Sequence, residues 1–235
     1  MFQQRLLECK LITQKQLDEA LASLREKVGD RPIPDAVLAK KLQSEGLLTT
    51  WQQQQLTLKR PEVFFLGHYK LLGLIGSGGM GSVYLAEHTV MRRLVGIKVL
   101  PGEVADSPAH LDRFKQEWRV TGALDHQNIV RAYEVGKEGE RHYLVMEYVK
   151  GKDLQQIVER RGRLPVRRIA DFTLQAAEAL AHAHERGMVH RDIKPANMLV
   201  DGRGTLKLLD LGMARILDQD DKESITLIRN EDVIG

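Results

Sequence analysis

The sequence predicts an α+β fold, in which antiparallel strands are followed by helices and a small helical module precedes both. Three observations lead to this prediction. Strand-like apolar patterns flank a glycine-rich stretch at residues 76–81. Apolar residues recur at helical spacing farther along the chain, notably over residues 165–186. Two threonine–glutamine signatures of helix starts lie within residues 1–60.

Residues 1–60 contain a weak internal repeat with an offset of 36 residues. The segment Lys10–Gln16 aligns with Gly46–Gln52, and each copy has a threonine followed three residues later by a glutamine. This capping-box pattern predicts one helix after Thr13 and another after Thr49, the latter including Leu58. We expect three or four short helices. They form either a docking or regulatory module or a helical extension that packs on the next domain.

The stretch Leu74–Ala86 contains glycines in a G-x-G-x-x-G spacing. These glycines are Gly76, Gly78 and Gly81. A glycine backbone can approach phosphate groups closely and offer its N–H groups to them. The same spacing occurs in dinucleotide-binding folds, where a helix follows directly. Here both flanks, Tyr69–Ile75 and Ser82–Ala86, have strand patterns, which predicts a hairpin that closes over phosphates.

A further strand pattern, Leu94–Leu100, places Lys98 among apolar neighbours. Taken alone, Lys98 is equally well a surface lysine at a strand edge. After a glycine hairpin, it is suited to bind the α- and β-phosphates of a nucleotide. The helical pattern over residues 109–123 carries Glu117, which is either a solvated surface residue or the ion-pair partner that directs Lys98.

The run His190–Asn197 places an acid, a cation and an amide at spacings of two and three residues. These are Asp192, Lys194 and Asn197, and Asp210 follows thirteen residues after the run. Phosphoryl transfer from ATP needs a carboxylate to orient the attacking hydroxyl, a cation for the moving phosphoryl group, and an amide plus a second carboxylate for Mg²⁺. By itself the run is also compatible with a polar loop. A hairpin pattern over Met198–Leu209 brings Asn197 and Asp210 to the same end.

Together these motifs resemble those of protein kinases, specifically the eukaryotic-like serine/threonine kinases of bacteria. The matching segments are Gly76–Val83, Val95–Lys98, Glu117, His190–Asn197 and Asp210–Gly212. The resemblance implies a protein-kinase-like bilobal fold with a complete N-lobe, an antiparallel sheet plus one helix, followed by a helical C-lobe. Because the chain ends at Gly235 before the Ala-Pro-Glu motif of the family, we expect an incomplete C-lobe and a fragment truncated within the activation segment.

The resemblance also implies a role for each matching residue. Asp192 would act as the catalytic base, and Lys194 would neutralise charge on the γ-phosphoryl group. Asn197, the third catalytic residue, would hold Mg²⁺ together with Asp210, with Mn²⁺ as an alternative metal and ATP as co-substrate. The residues expected at the ATP site are Ile75, Gly76, Ser77, Gly78, Gly79, Met80, Gly81, Val83, Lys98, Glu117, Glu147 and Val149.

Three further expectations concern regulation and domain organisation. Arg191 would pair with a phosphorylated residue of the activation segment, for which Ser224 and Thr226 are candidates, unless that loop is unmodified. The predicted division is a helical module over residues 1–60, a linker over 61–67 and an incomplete kinase domain over 68–235. Two departures from the family pattern, Gly96 and Leu211, change no charged catalytic group.

Composition agrees with a cytoplasmic protein, although a membrane anchor in downstream sequence is left open. The net charge of +3 is too small to indicate nucleic-acid binding, and the single Cys9 fits a reducing compartment. No apolar run reaches the roughly 18 residues of a membrane span. The predicted function is ATP-dependent serine/threonine phosphorylation of a protein substrate, with a docking partner for the helical module. The alternative is a catalytically inert nucleotide-binding or protein-docking fragment.

Overall fold

The computed structural model describes residues 2–29, 31–58, 63–78, 81–100, 122–209 and 215–216. The chain divides into two compact units. The N-terminal unit comprises Met1–Pro101 and Gly136–Tyr143, and the C-terminal unit comprises Gly102–Val135 and Leu144–Gly235. Helices and strands both occur as the sequence predicts. The predicted helix over residues 109–123 lies almost entirely outside the described residues.

The described part of residues 1–60 forms four helices, which together are the helical module. They are α1 (Phe2–Glu8), α2 (Gln14–Val28), α3 (Asp35–Ser44) and α4 (Thr50–Thr57). As predicted, Thr13 and Thr49 each begin a helix with a capping box. Leu58 was expected within α4 but follows its last residue and is 51% exposed. Its extended backbone ends the helix one residue early.

The helical module has a hydrophobic core of its own. Its buried members are Phe2, Leu6, Leu11, Ile12, Leu17, Ala20, Leu24, Leu38, Ala39, Leu42, Leu48, Leu56 and Phe64. Burying one leucine-sized side chain contributes about 1.5–3 kcal/mol, so these contacts hold the four helices together. Phe64 belongs to the stretch predicted as a linker, and it packs into this core.

A six-stranded sheet follows the helical module. Its strands are β1 (Phe65–Leu66), β2 (Tyr69–Gly78), β3 (Gly81–His88), β4 (Leu94–Val99), β5 (Ala132–Glu138) and β6 (Arg141–Glu147). The spatial order is β1-β2-β3-β4-β6-β5, and the first four strands pair antiparallel. Strand β2 contains two register shifts, between Leu71 and Gly73 and between Leu74 and Gly76. The sequence predicts neither these bulges nor strand β5.

After β6, the described part of the C-terminal unit contains short strands and two helices. These elements are β7 (Gly151–Asp153), α5 (Leu154–Arg161), α6 (Val166–His184), β8 (Met188–Val189), β9 (Met198–Asp201), β10 (Leu206–Leu208) and β11 (Arg215–Ile216). A 3₁₀ turn, Pro195–Asn197, precedes β9. Strands β10, β9 and β7 form one sheet, and β11 pairs with β8. The predicted hairpin over residues 198–209 is therefore present as β9 and β10.

Helix α6 supplies four of the ten buried residues that form the apolar core in the described part of the C-terminal unit. Its buried residues are Phe172, Ala176, Ala179 and Ala183. They pack with β-strand residues that include Met188 and Leu206. Ile169 was predicted in the same stripe, but it lies in the first turn of α6, ahead of Phe172, and is 50% exposed. Within the described ranges, none of the helices combines the length and apolar character that a membrane crossing needs.

Candidate active site

Three of the predicted ATP-site residues form a row across neighbouring strands of the N-terminal unit. Gly76 on β2 is the register partner of Val83 on β3, and Val83 is the register partner of Lys98 on β4. Lys98 is 8% exposed, with buried residues before it on the same strand. The sheet register thus places a glycine, an apolar side chain and a cation side by side.

The glycine hairpin, which we define as residues 74–78 of β2 and 81–85 of β3, has the predicted form. Ser77 pairs with Ser82, and Gly78 pairs with Gly81. Gly81 has a φ of 110°, which favours glycine over any residue with a side chain. A Cβ atom built on Gly76 would meet nothing within 4 Å, so the space above this position is open to a ligand. Gly79 and Met80 lie outside the described residues.

Ile75 lies at the second register shift of β2, so it has no Cα partner on β3. Its side chain is 53% exposed, although it is apolar. An exposed apolar side chain directly before Gly76 suits contact with the flat face of a base. Glu117, the predicted partner of Lys98, lies outside the described residues, so that ion pair stays a prediction.

In the C-terminal unit, the three predicted catalytic residues meet at one carboxylate oxygen. Lys194 Nζ lies 2.7 Å from Asp192 Oδ2, and Asn197 Nδ2 donates to the same oxygen at 2.8 Å. Asn197 Nδ2 also donates to the Asp192 carbonyl at 2.9 Å. Because both side chains bind Oδ2, the other oxygen of Asp192, Oδ1, can accept a hydrogen bond from an incoming hydroxyl.

These contacts keep Asp192 ionised. The hydrogen bond from Lys194 lowers the pKa of Asp192 below its ordinary value, and the hydrogen bond from Asn197 acts in the same direction. A carboxylate with a low pKa is a weak base. It serves best by accepting a hydrogen bond from a substrate hydroxyl and fixing the direction of attack.

His190 is a buried connector that the sequence analysis did not single out. It is 1% exposed, and its Nδ1 accepts a hydrogen bond from the Asp192 N–H at 3.3 Å. Its Nε2 therefore carries the proton and donates to the Leu209 carbonyl at 2.9 Å. One imidazole thus ties the backbone of Asp192 to the residue before Asp210. The signal in the sequence was a histidine two positions before the candidate base.

Leu209 is held from a second side as well. Its N–H donates to the Asn197 carbonyl at 2.9 Å, which continues the pairing of β9 with β10. The chain therefore enters Asp210 from a residue bound to both His190 and Asn197. Asp210 itself lies outside the described residues, so its part in metal binding stays a prediction.

Arg191 has a φ of 61°, which is uncommon for a residue with a side chain. Such a backbone conformation costs about 1–3 kcal/mol and is kept where neighbouring bonds impose it. Here the flanking residues His190 and Asp192 are joined by a hydrogen bond. Ser224 and Thr226, the candidate partners of Arg191 after phosphorylation, lie outside the described residues.

Glu147 ends β6, and Val149 follows it outside any strand. The Glu147 N–H donates to the Arg131 carbonyl at 2.9 Å, and its carboxylate accepts from Lys207 at 2.9 Å. The Lys207 and Glu147 side chains are only 14% and 24% exposed. Since its N–H is paired, Glu147 would meet an adenine edge through its carbonyl. The sequence does not predict the bond between Glu147 and Lys207, which joins residues 60 positions apart.

A divalent metal at the His190–Asn197 run would be bound through oxygen ligands. Within the described ranges, no group of three or more His, Cys, Asp or Glu side chains could hold a metal ion. The Asn197 amide turns its nitrogen towards Asp192, which directs its oxygen Oδ1 away from that carboxylate. An amide oxygen with an aspartate is a donor set that Mg²⁺ and Mn²⁺ accept.

Comparison with protein families gives one match that covers most of the chain. A family described as "Protein kinase domain" matches residues 69–231. The match begins at the first residue of β2 and takes in the glycine hairpin, Lys98 and the His190–Asn197 run. It leaves α1–α4 outside the family.

Among named proteins, the chain is similar to "Serine/threonine-protein kinase PrkC" of Bacillus subtilis (strain 168), with 40% identity over 72% of this chain and 25% of that protein. It is also similar to "Serine/threonine-protein kinase PknA" of Mycobacterium tuberculosis (strain ATCC 25618 / H37Rv), with 40% identity over 68% of this chain and 38% of PknA. The chain therefore spans about a quarter to two fifths of the length of these relatives.

A solved structure has a similar fold over about two thirds of this chain. It is the Mycobacterium tuberculosis PknI kinase domain, C20A mutant, with a TM-score of 0.58 and 29% identity over 65% of this chain and 63% of that one. The predicted α+β, kinase-like fold and the resemblance to bacterial eukaryotic-like serine/threonine kinases are confirmed by these matches.

Proposed function

The chain belongs to the protein kinase domain family, and from this premise we propose that it serves ATP-dependent phosphoryl transfer to a serine or threonine hydroxyl of a protein substrate. One observation carries the proposal. Lys194 and Asn197 both bind Oδ2 of Asp192, which leaves Oδ1 of an ionised carboxylate for the substrate. This is the arrangement that phosphoryl transfer needs on the side of the attacking hydroxyl.

Each member of this loop has a distinct task. Asp192 accepts the hydrogen bond of the hydroxyl and orients its oxygen. Lys194, held 2.7 Å from Asp192, offers positive charge to the moving phosphoryl group. A divalent cation, Mg²⁺ or Mn²⁺, would be held by Asn197 and Asp210 and would neutralise phosphate charge. His190 fixes the relative position of Asp192 and Leu209.

The nucleotide is proposed to bind through the row of Gly76, Val83 and Lys98 in the N-terminal unit. Lys98 would bind the α- and β-phosphates, directed by Glu117. The glycines would cover the phosphates with their backbone, with Ile75 and Val83 against the base. This set also includes Ser77, Gly78, Gly79, Met80 and Gly81. The Glu147 carbonyl and the Val149 backbone would pair with the adenine edge.

Two further roles concern control and partners. Arg191 is proposed to bind a phosphate group on Ser224 or Thr226 of the activation segment. The helical module is proposed to be a separate regulatory or docking layer, with the kinase domain starting near residue 68 after a short linker over 61–67. Support for this division comes from the module's own core and from the family match that starts at residue 69.

The proposal is tested by transfer of ³²P from labelled ATP, with Mg²⁺ or Mn²⁺, to a generic basic protein. Asp192→Asn is expected to lower the rate of transfer by about 10³-fold, because it removes the charge that orients the hydroxyl. Asp171→Asn makes the same chemical change on the exposed surface of α6 and should leave the rate unchanged. Transfer that persists at the original rate in Asp192→Asn would refute the assignment.

The alternative function is nucleotide binding or protein docking without catalysis, and it predicts a different result for the same protein sample. It predicts that ATP with Mg²⁺ raises the melting temperature while no ³²P is transferred. Lys98→Met is the control for nucleotide binding, since it should reduce the thermal stabilisation by ATP with Mg²⁺ under either function. Absence of both transfer and thermal stabilisation in the unsubstituted chain would count against both functions.

A further inference from the structure

The second capping box of the helical module binds the sheet of the kinase domain. Thr49 Oγ1 accepts from the Gln52 N–H at 3.1 Å and donates to the Leu72 carbonyl at 2.6 Å. Gln52 Oε1 accepts from the Thr49 N–H at 2.9 Å, while its Nε2 donates to the Leu71 carbonyl at 2.6 Å. Gln52 is 0% exposed. The residues that begin α4 therefore also bind two consecutive carbonyls of β2.

The site of attachment is the first bulge of β2. Leu71 is paired with Ala86 and Gly73 with Leu85, so Leu72 has no Cα partner on β3. A bulge bends its strand and changes the direction in which the following residues run. Only three residues separate Leu72 from Gly76, the first glycine of the hairpin. The two bonds from α4 thus fix the strand where its direction towards the glycine hairpin is set.

Helix α4 also contacts the other strand of the hairpin. The ring of Trp51 meets the ring of Tyr84 edge to face, with centroids 5.7 Å apart. Tyr84 on β3 pairs with Leu74, next to the second register shift of β2. One short helix therefore holds β2 by hydrogen bonds and β3 by an aromatic contact, at the base of the glycine hairpin.

We propose that Thr49, Gln52 and Trp51 are positioning residues for nucleotide binding, although they lie outside the kinase family match. They hold the two strands so that the glycine hairpin keeps its phosphate-binding direction. The inference rests on the proposed function, since it assigns the module to the same ATP site. A binding partner that shifts α4 would thereby change the affinity of the chain for nucleotide.

Matched substitutions in the two copies of the repeat test this inference in the full chain. Gln52→Glu keeps the oxygen that accepts from the Thr49 N–H and replaces the Nε2 donor with an oxygen that faces Leu71. Gln16→Glu makes the same change in the first capping box, where the glutamine is half-buried and its hydrogen bond with Thr13 is exposed to solvent. Thr49→Asp and Thr13→Asp form a second pair, because aspartate also caps a helix but cannot donate to Leu72.

Two measurements are made on each variant. The first is the Kd of a fluorescent ATP analogue with Mg²⁺, and the second is amide hydrogen exchange of the glycine hairpin without nucleotide. If the binding-competent fraction falls to about one fifth, the apparent Kd rises about fivefold. We expect this rise and faster hairpin exchange in Gln52→Glu and Thr49→Asp, with no change in Gln16→Glu or Thr13→Asp. Thr49→Ser keeps the hydroxyl and should behave like the unsubstituted chain.

If Gln52→Glu and Thr49→Asp prevent folding, Trp51→Leu tests the inference in their place, because it leaves the hydrogen bonds to Leu71 and Leu72 intact. It should raise the Kd and speed exchange over residues 81–85. An unchanged Kd or unchanged hairpin exchange in the folded variants overturns the inference while leaving the proposed function standing. If the unsubstituted chain binds no nucleotide, the proposed function fails, and the exchange measurement alone decides whether α4 fixes the hairpin.

Discussion

The two capping boxes of the helical module have the same internal geometry and different surroundings. In each box the threonine N–H donates to the glutamine Oε1 at 2.9 Å. The glutamine N–H donates back to the threonine hydroxyl, at 3.3 Å in the Thr13 box and 3.1 Å in the Thr49 box. The hydrogen bonds of the first box are exposed to solvent and Gln16 is half-buried, whereas Gln52 of the second box is fully buried and bound to β2.

The difference shows how a local motif can acquire a second task. A capping box uses the acceptor oxygens of both side chains internally and leaves their donors, the hydroxyl hydrogen and the amide Nε2 hydrogens, available. A strand with bulges offers carbonyls that such donors can bind. In the first copy Thr13 directs its hydroxyl to Gln16 at 3.1 Å, and in the second Thr49 directs it to Leu72 at 2.6 Å.

The largest difference in stability between the two boxes is expected when each glutamine is replaced by glutamate. Gln52→Glu should lower the free energy of unfolding by about 3 kcal/mol, because a buried carboxylate then faces the Leu71 carbonyl without a donor. Gln16→Glu should change it by less than about 0.5 kcal/mol, because glutamate suits an exposed capping box. Urea unfolding followed by circular dichroism measures both. Equal losses of unfolding free energy in the two variants would mean that the burial of Gln52 does not contribute to stability.

A smaller effect is expected when the threonine hydroxyls are removed. Thr49→Val should cost about 2 kcal/mol, of which about 1 kcal/mol is the lost cap and a similar amount is the lost bond to Leu72. Thr13→Val should cost only the cap, about 1 kcal/mol. Valine keeps the branched shape, so packing changes little. The same unfolding measurement applies, and a larger loss for Thr13→Val would contradict the comparison.

The residue directly before the glutamine also differs between the two boxes. At the aligned position the first copy has Lys15, which is 85% exposed, and the second has Trp51, which contacts Tyr84 and Phe64. Trp51→Leu should cost about 1.5 kcal/mol, because edge-to-face contacts with two rings are lost. Lys15→Leu is the control and should lie within about 0.5 kcal/mol of the unsubstituted chain. A neutral Trp51→Leu would show that the hydrogen bonds alone hold α4.

The sequence predicts these helix starts well because capping is local. Thr13 and Gln16 are three residues apart, and the pattern alone specifies both of their bonds. The same holds for the His190–Asn197 run, where the predicted catalytic residues meet within five positions. Gly81 also follows its motif, since its positive φ suits the tight end of a hairpin.

Two of the contacts that the sequence did not predict join distant residues. Gln52 reaches Leu71 across 19 positions, and His190 reaches Leu209 across another 19. Each contact depends on a backbone carbonyl whose position is set by a bulge or a strand end. Every residue has such a carbonyl, so the sequence does not show which one a side chain will bind. Ile169 was placed in the core for a related reason, since helical periodicity gives the face of a helix and not the point at which packing begins.

The last prediction extends the contrast to carboxylates of the C-terminal unit. The main cause of the lowered pKa of Asp192 is the hydrogen bond from the side chain of Lys194. The pKa of Asp201 is lowered as well. There, partial burial raises the pKa, and hydrogen bonds from the backbone N–H groups of Thr205 and Arg203 lower it. Lys194→Met should therefore raise the pKa of Asp192 towards its ordinary value of 3.8 and leave that of Asp201 unchanged. Carboxyl ¹³C NMR titration measures both groups in one experiment.

The sign of the accompanying stability change follows from linkage. A carboxyl group with a lowered pKa in the folded state stabilises the fold above its unfolded pKa, and this contribution is lost as the pH falls through the folded value. In Lys194→Met the folded pKa of Asp192 moves back up, so its contribution is smaller and is lost at a higher pH than in the unsubstituted chain. If the pKa of Asp192 is the same in Lys194→Met as in the unsubstituted chain, the ion pair at Oδ2 does not hold this carboxylate in solution. The proposed orientation of the substrate hydroxyl through Oδ1 would then lose its basis.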